Sequence, residues 1–237
     1  MTALAELAPT GVLRAAINLS NFLLVSGGLV DGAPVGVSPD LATAIATRLG
    51  VQVMLLPYAS PGLLADDAGK GIWDIGLIGA EPARARTIDF TPAYVEIEST
   101  YLVPAGSPIN AIAEVDRAGV RIAVTARAAY DLWLERNIRN ATLLRADGLD
   151  GAFALFVTDK LEALAGLRPR LLTDVARLPG ARVLEGQFAA VQQAVGTAKG
   201  NAAALIFLQG FIAQAKATGL IGTLIARHKV AGLSVAP

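Results

Sequence analysis

Short β-rich apolar runs alternate with stretches of helical periodicity along the first part of the chain. Residues 13–19 (LRAAINL) predict a first strand, followed by a loop of small residues over 20–34. Ser38-Pro39-Asp40 then announces a helix: Ser38 can cap it, Pro39 suits its first turn and Asp40 favours the dipole. Leu41, Ile45 and Leu49 share one face of that helix, and Gly50 ends it. Residues 51–58 predict a second strand, 61–70 a short helix or loop, and 72–78 (IWDIGLI) a third, buried strand. Strand and helix alternating in this way is the pattern of a parallel sheet.

The second half repeats the pattern more compactly. A strand over 120–125 (VRIAVT) leads through a small-residue loop into a helix carrying Tyr130, Trp133, Leu134 and Ile138 at helical spacing. A short strand at 143–144 and a helix over 151–158 follow, and 161–167 (LEALAGL) suits either a strand or a helix. Strands are expected at 182–184 and 187–196, then a long apolar helix from Asn201 to about Thr218 and a last one over 220–227. Two extended segments, 94–103 and about 188–196, therefore join two compact α/β units. Trp73, beside the strand's Asp74, and Trp133, on a helix face, are expected to pack rather than bind.

Composition narrows the function. Hydrophobic residues make up 54% and charged residues 17%, which excludes disorder and requires extensive burial. Basic and acidic residues are equal at 20 each, so the chain has no net field to draw nucleic acid or an anionic membrane surface. No apolar run reaches the roughly 18 residues of a membrane span. There is no cysteine, one histidine (His228) and no HxxxH or HxH pattern, so neither thiolate chemistry nor a metal or other cofactor is expected. The opening MTALAELAPTGVL has neither a basic n-region nor a continuous apolar core, so it does not read as a signal peptide.

Chemistry concentrates in residues 71–104. The third strand ends in a small-residue turn, Gly79-Ala80, and then come Glu81-Pro82 and a segment with Arg84, Arg86 and Asp89 before Phe90-Thr91-Pro92. A loop at the carboxyl end of a buried strand is where open α/β sheets place ligands, and an arginine there is a candidate anion clamp. The competing reading of Arg84 is a surface charge paired with Glu81 or Asp89, worth little.

The order of GVSPDLATAIATRLG, the WDIG strand, ARARTIDFTPAY and the strand running to YLVPAGSPI resembles the bacterial extracellular solute-binding proteins of the polar amino-acid type, family 3. The resemblance runs from Gly11 through the helix after Asn201. It implies a two-lobed, periplasmic-binding-protein-like α/β fold of type II, with two hinge strands, a first lobe of 1–102 completed by the C-terminal segment 192–237, and an inserted second lobe of 103–191. It implies capture of a small carboxylate-bearing solute, an amino acid or related organic acid, in an interlobe cleft for ABC-type import. The partners implied are that solute and a membrane permease. A monomer is implied, periplasmic, with a cytoplasmic binding module as the alternative where the leader is missing.

By the same resemblance, the arginine six residues before the phenylalanine of Asp89-Phe90 holds the ligand's carboxylate, which assigns that role to Arg84. Asn18, Asn21 and Phe22 fall where the first lobe lines the cleft, Phe22 either stacking on the ligand or packing under its loop. Gly79 and Ala80 can offer main-chain contacts only. Thr125, Arg127 and Ala128 precede a helix whose N–H groups can meet an anionic group, and Arg127 is either a second clamp or a solvated charge. The acid that usually pairs with the ligand's ammonium is missing. Leu167 stands near its place, leaving Glu98 and Glu162 as substitutes. The same two acids are the candidates if the chain is instead an enzyme resembling the cyclohexadienyl dehydratases on this fold. The primary expectation is a binding protein without catalysis.

Overall fold

A computed structural model describes residues 1–27 and 29–237 in full, and Gly28 in its backbone only. The chain divides into two compact units, Met1–Glu96 with Gln192–Pro237, and Ile97–Val191.

The first unit opens with α1 (Ala3–Leu7), β1 (Val12–Asn18), a hairpin of β2 (Gly28–Val30) and β3 (Ala33–Val35), α2 (Val37–Leu49), β4 (Gln52–Tyr58), α3 (Pro61–Asp66) and β5 (Ile75–Gly79). A 3₁₀ turn at Arg84–Arg86 leads to β6 (Ile88–Phe90) and β7 (Val95–Val103), which carries the chain into the second unit. β1 pairs in parallel with β4 on one side and β5 on the other. Leu13, Ala15 and Ile17 of β1 enter the core formed with Leu41 and Ile45 of α2, whereas Ala16 joins Leu64, Trp73, Ile78 and Ile88 in a separate cluster. A strand covered on both faces needs apolar residues at both parities, which Ala15, Ala16 and Ile17 supply.

The start of α2 differs from the expected cap. Gly36, not Ser38, is the N-cap, and Ser38 lies inside the first turn with its hydroxyl 3.0 Å from the Tyr94 hydroxyl. Gly36 has φ 157°, and a Cβ there would lie 2.2 Å from the Leu24 carbonyl oxygen, so the loop's close approach selects glycine. Gly50 ends the helix as expected, in the left-handed conformation.

The second unit continues with a 3₁₀ turn at Ile112–Glu114, β8 (Arg121–Thr125), α4 (Ala129–Asn137), β9 (Thr142–Ala146), α5 (Gly148–Thr158), β10 (Ala163–Leu167), α6 (Arg168–Val175), β11 (Arg182–Val183) and the start of β12 (Ala189–Ala198). The ambiguous segment is thus the strand β10. It pairs in parallel with β8 and antiparallel with β7, and it is buried throughout. Leu164 packs with Phe153 and Phe156 of α5, Leu171 of α6 and Leu102 of β7.

β12 returns the chain to the first unit, where it runs antiparallel to β5. α7 (Ala202–Ala217) and α8 (Leu220–Arg227) then bury Leu208, Ile212, Ile221 and Leu224 in the core shared with β1 and α2. β13 (Ser234–Val235) pairs with the first residues of β7. Among the described residues, no single helix is long and apolar enough to cross a membrane.

Candidate functional site

In the first unit, the loops after β1 and β5 hold the predicted residues. Asn18 ends β1, buried, and its Oδ1 accepts from the Ser20 amide at 3.2 Å and the Ser20 hydroxyl at 2.8 Å. Asn21 is also buried, and its Oδ1 accepts from the amides of Leu23 and Leu24, both at 3.3 Å. The asparagines thus organise their own loop, as short amides do in Asx turns. Phe22, which follows Asn21, is half-buried, whereas Leu23, Leu24 and Val25 are buried.

Arg84 is only 5% exposed. Its Nη1 donates to the carbonyl of Gly79, the last residue of β5, at 2.6 Å. Asp89, offered as its surface partner, accepts instead from the Gly200 amide at 3.0 Å. Arg84 is therefore a buried guanidinium at the carboxyl end of a buried strand. Glu81, two residues past Gly79, is buried too, and its carbonyl accepts from the amides of Arg84 and Ala85. Ala80 spends its amide on the Gln192 carbonyl at 2.7 Å.

The second unit places Thr125 at the carboxyl end of β8, its hydroxyl 3.4 Å from the Gly148 carbonyl. Arg127 takes φ 61°, and its amide donates to Asp131 at 2.8 Å, while Ala128 is the N-cap of α4. Burial pushes the Asp131 carboxyl up, against the pull of the Arg127 amide and of Arg145, whose Nε lies 2.9 Å away. The amide of Arg127 is thus already met by a carboxylate of its own helix.

The two acids proposed as partners for a ligand's ammonium are both engaged by arginines. Glu98 is exposed and pairs with Arg168 at 2.6 Å; Arg168 also donates to the carbonyls of Leu184 and Gly186. Glu162 precedes β10 at the amino-terminal edge of the sheet, not the carboxyl end. There it takes both Nε and Nη2 of Arg121 at 2.9 Å, plus the Arg121 amide at 2.8 Å. Arg121 holds the Glu162 carboxyl below the usual range. Asp74 plays the same part in the first unit, taking the Arg14 amide at 2.8 Å, Nε at 3.0 Å and Nη2 at 2.6 Å. Leu167, at the place of the missing acid, is buried.

His228 is half-buried, with Nε2 2.9 Å from Asp40, which Arg227 also reaches at 3.0 Å. Among the described residues, no group of three or more His, Asp and Glu side chains is placed to hold a metal ion.

Two polar side chains stand out that periodicity does not mark. Gln193 and Ser99 are buried, and neither Gln193 Oε1 nor Ser99 Oγ has a hydrogen-bond partner among the described residues.

Comparison with known proteins bears on the fold and the family. No curated protein matches the sequence. Among solved structures, a mutant of the T. maritima arginine-binding protein aligns with a TM-score of 0.76 at 19% identity, covering 96% of this chain and 99% of that one. An amino-acid ABC transporter substrate-binding protein from Streptococcus pneumoniae, bound to L-arginine, aligns with a TM-score of 0.74 at 20% identity over 100% of both chains. An ancestral amino-acid-binding protein described as a precursor of cyclohexadienyl dehydratase gives 0.76 at 21% identity, over 96% of this chain and 99% of that one. These likenesses show a periplasmic-binding-protein-like α/β fold. The model of one family matches residues 28–230, and the chain belongs to that family, the bacterial extracellular solute-binding proteins, family 3.

Proposed function

We propose that this chain captures a small carboxylate-bearing solute, an amino acid or a related organic acid, and delivers it to the membrane permease of an ABC importer. The observation that carries the reading is Arg84, a buried guanidinium anchored on the carbonyl that ends β5. A planar fork matches a carboxylate with two parallel bonds, and the pairing is strongest where water is excluded. Asn18, Asn21, Phe22, Gly79 and Ala80 are its proposed neighbours in the first unit; Thr125, Arg127 and Ala128 are the proposed contacts of the second. Solved relatives of the same fold hold arginine, glutamine and L-glutamate, which supports an amino-acid-sized solute. Extracytoplasmic location and a monomeric state follow the same reading.

The likeness to a dehydratase precursor raises the catalytic alternative. A general acid or base needs a pKa near the working pH. Glu162 is instead held ionised by Arg121 at the far edge of its sheet, and Glu98 is paired with Arg168. Binding without bond-making is the reading these pairs favour.

The test is to denature the purified protein, identify any released small molecule by mass spectrometry, and titrate it back by calorimetry beside its methyl ester. A released carboxylate that rebinds, is recovered unchanged and binds far more weakly as its ester is the expected result. A solute without an anionic group, or one chemically altered by the protein, would overturn the reading.

A further inference from the structure

Two buried side-chain polar atoms lack a hydrogen-bond partner among the described residues, Ser99 Oγ and Gln193 Oε1. They occupy matching places in the two units. Gln193, on β12, stands directly across from Gly79, the last residue of β5. Ser99, on β7, stands directly across from Leu167, the last residue of β10. Each is therefore beside the carboxyl end of a central strand of its own unit, the end at which such sheets place ligands.

The pairing fixes where Gln193 sits. The Ala80 amide donates to the Gln192 carbonyl, while the Gln193 carbonyl accepts from Tyr94 on its other side. Gln193 and Gly79 are thus a non-hydrogen-bonded pair, the closer kind, with Cα atoms about 4.5 Å apart. Gly79 contributes no side chain to the space over this pair, and its carbonyl receives Arg84 at 2.6 Å. Gly79 is therefore flanked by the Arg84 guanidinium and by Gln193, a 5%-exposed residue whose side-chain oxygen has no donor. Native proteins rarely leave such an atom unsatisfied, because the lost hydration is not recovered.

We propose that Gln193 is a solute-binding residue: its side-chain oxygen accepts a hydrogen bond from an N–H or O–H group of the carboxylate held by Arg84. This rests on the carboxylate reading and narrows it. The solute is a carboxylate carrying a second polar group, an amino or hydroxy acid. A neutral carbonyl accepts from either group, so the site does not require the missing acid at Leu167. A plain carboxylate offers the Gln193 side-chain oxygen no donor.

The test uses L-arginine, L-glutamine and L-glutamate, each with its 2-hydroxy and its deamino analogue, titrated into the parent, Gln193→Leu and Arg84→Ala. The expected result is a parent that prefers a donor-bearing acid over its deamino analogue by roughly tenfold, and a Gln193→Leu variant that loses this preference while still binding the deamino acid. Without ligand, Gln193→Leu should melt about 2–4 °C higher, since it removes an unsatisfied group. Gln193→Glu keeps an acceptor and adds charge, so it should shift preference from the hydroxy to the amino acid. Unchanged preference in both Gln193 variants, with binding lost in Arg84→Ala, overturns this inference and leaves the carboxylate reading intact. A Gln193→Leu variant that melts lower and binds as the parent makes Gln193 structural, again overturning it. If no acid in the panel binds the parent, or Arg84→Ala binds as the parent does, the carboxylate reading falls and takes this inference with it.

Discussion

The Nη1 of Arg84 donates to the Gly79 carbonyl at 2.6 Å, so the last residue of β5 orients the guanidinium that follows it in the chain. Arg84→Ala removes a charge-assisted donor from a buried position and leaves a bound carboxylate unpaired. Such truncations cost about 2–5 kcal/mol, or on the order of thirty- to several-thousand-fold in affinity. Arg84→Lys should recover only part of this, because an ammonium lacks the planar fork. Arg86→Ala is the control, an exposed arginine two residues on whose Nε donates to the Ala83 carbonyl at 3.3 Å. Calorimetry with the solute recovered from the protein decides the matter: small, equal losses at both positions would remove Arg84 from the site.

The two tryptophans should separate by burial. Trp73 is 3% exposed, packs with Leu64, Ile78 and Ile88, and donates from Nε1 to the Leu64 carbonyl at 3.1 Å. Trp133 is half-buried, its ring 5.4 Å from that of Phe188, which lies 4.6 Å from Tyr101. Trp73→Ala should cost about 3–5 kcal/mol, as for other fully buried aromatics, and Trp133→Ala distinctly less. Urea titrations followed by far-UV circular dichroism give both values. Equal losses would mean that Trp133 carries more of its unit's packing than its exposure implies.

Much of this architecture was legible because its signals are local. The helix over residues 220–227 is α8, with the expected bounds, and the apolar run before Gly79 is the buried strand β5. Arg84 could be singled out as a candidate because it follows the carboxyl end of a buried apolar run, and the family resemblance adds its spacing to Asp89-Phe90. Other features depend on contacts that periodicity does not encode. The segment before Leu167 is a strand because both its neighbours in the sheet demand one, although its own residues suit a helix. α6 begins directly at Arg168-Pro169, with no polar cap to announce it. Ser38 looked like a cap, but the approach of the Leu24 carbonyl moved the helix start to Gly36. Glu162 reads as an available acid until the fold brings Arg121 against it. Gln193 and Ser99 could not be found at all, since an unsatisfied atom exists only once every neighbour is placed.

Two glycines should respond to alanine in opposite directions. At Gly36 a Cβ would meet the Leu24 carbonyl oxygen at 2.2 Å and the Val25 Cα at 2.8 Å, backbone atoms that cannot turn aside. Gly36→Ala should therefore cost at least about 2 kcal/mol, and the loop preceding α2 must move. Gly210 lies exposed inside α7, and a Cβ there would meet nothing within 4 Å. Gly210→Ala should add about 0.5–1 kcal/mol through lower chain entropy in the unfolded state. Thermal melts of the two variants should move apart; a stabilised Gly36→Ala would mean the loop yields without strain.

The arginine pairs at the amino-terminal edges make the last prediction, and burial sets their ranking. Asp74 is 3% exposed in its side chain and Glu162 35%, although each binds its arginine through the same three groups. Asp74→Ala leaves the partly buried Arg14 without its counter-charge, a change that typically costs about 3–5 kcal/mol. Glu162→Ala should cost clearly less, because solvent screens its partner. The Glu162 pair has a pH signature as well. Arg121 depresses the Glu162 carboxyl in the folded state, so the unfolded chain binds that proton more readily. The stabilisation is therefore fully present above the unfolded value of about 4.3 and is lost as pH falls through the lower folded value. Glu162→Gln should melt below the parent at pH 7, and the two curves should converge as the pH drops below about 4. A gap that stays constant over this range would mean that Glu162 acts by shape alone, with its charge contributing nothing.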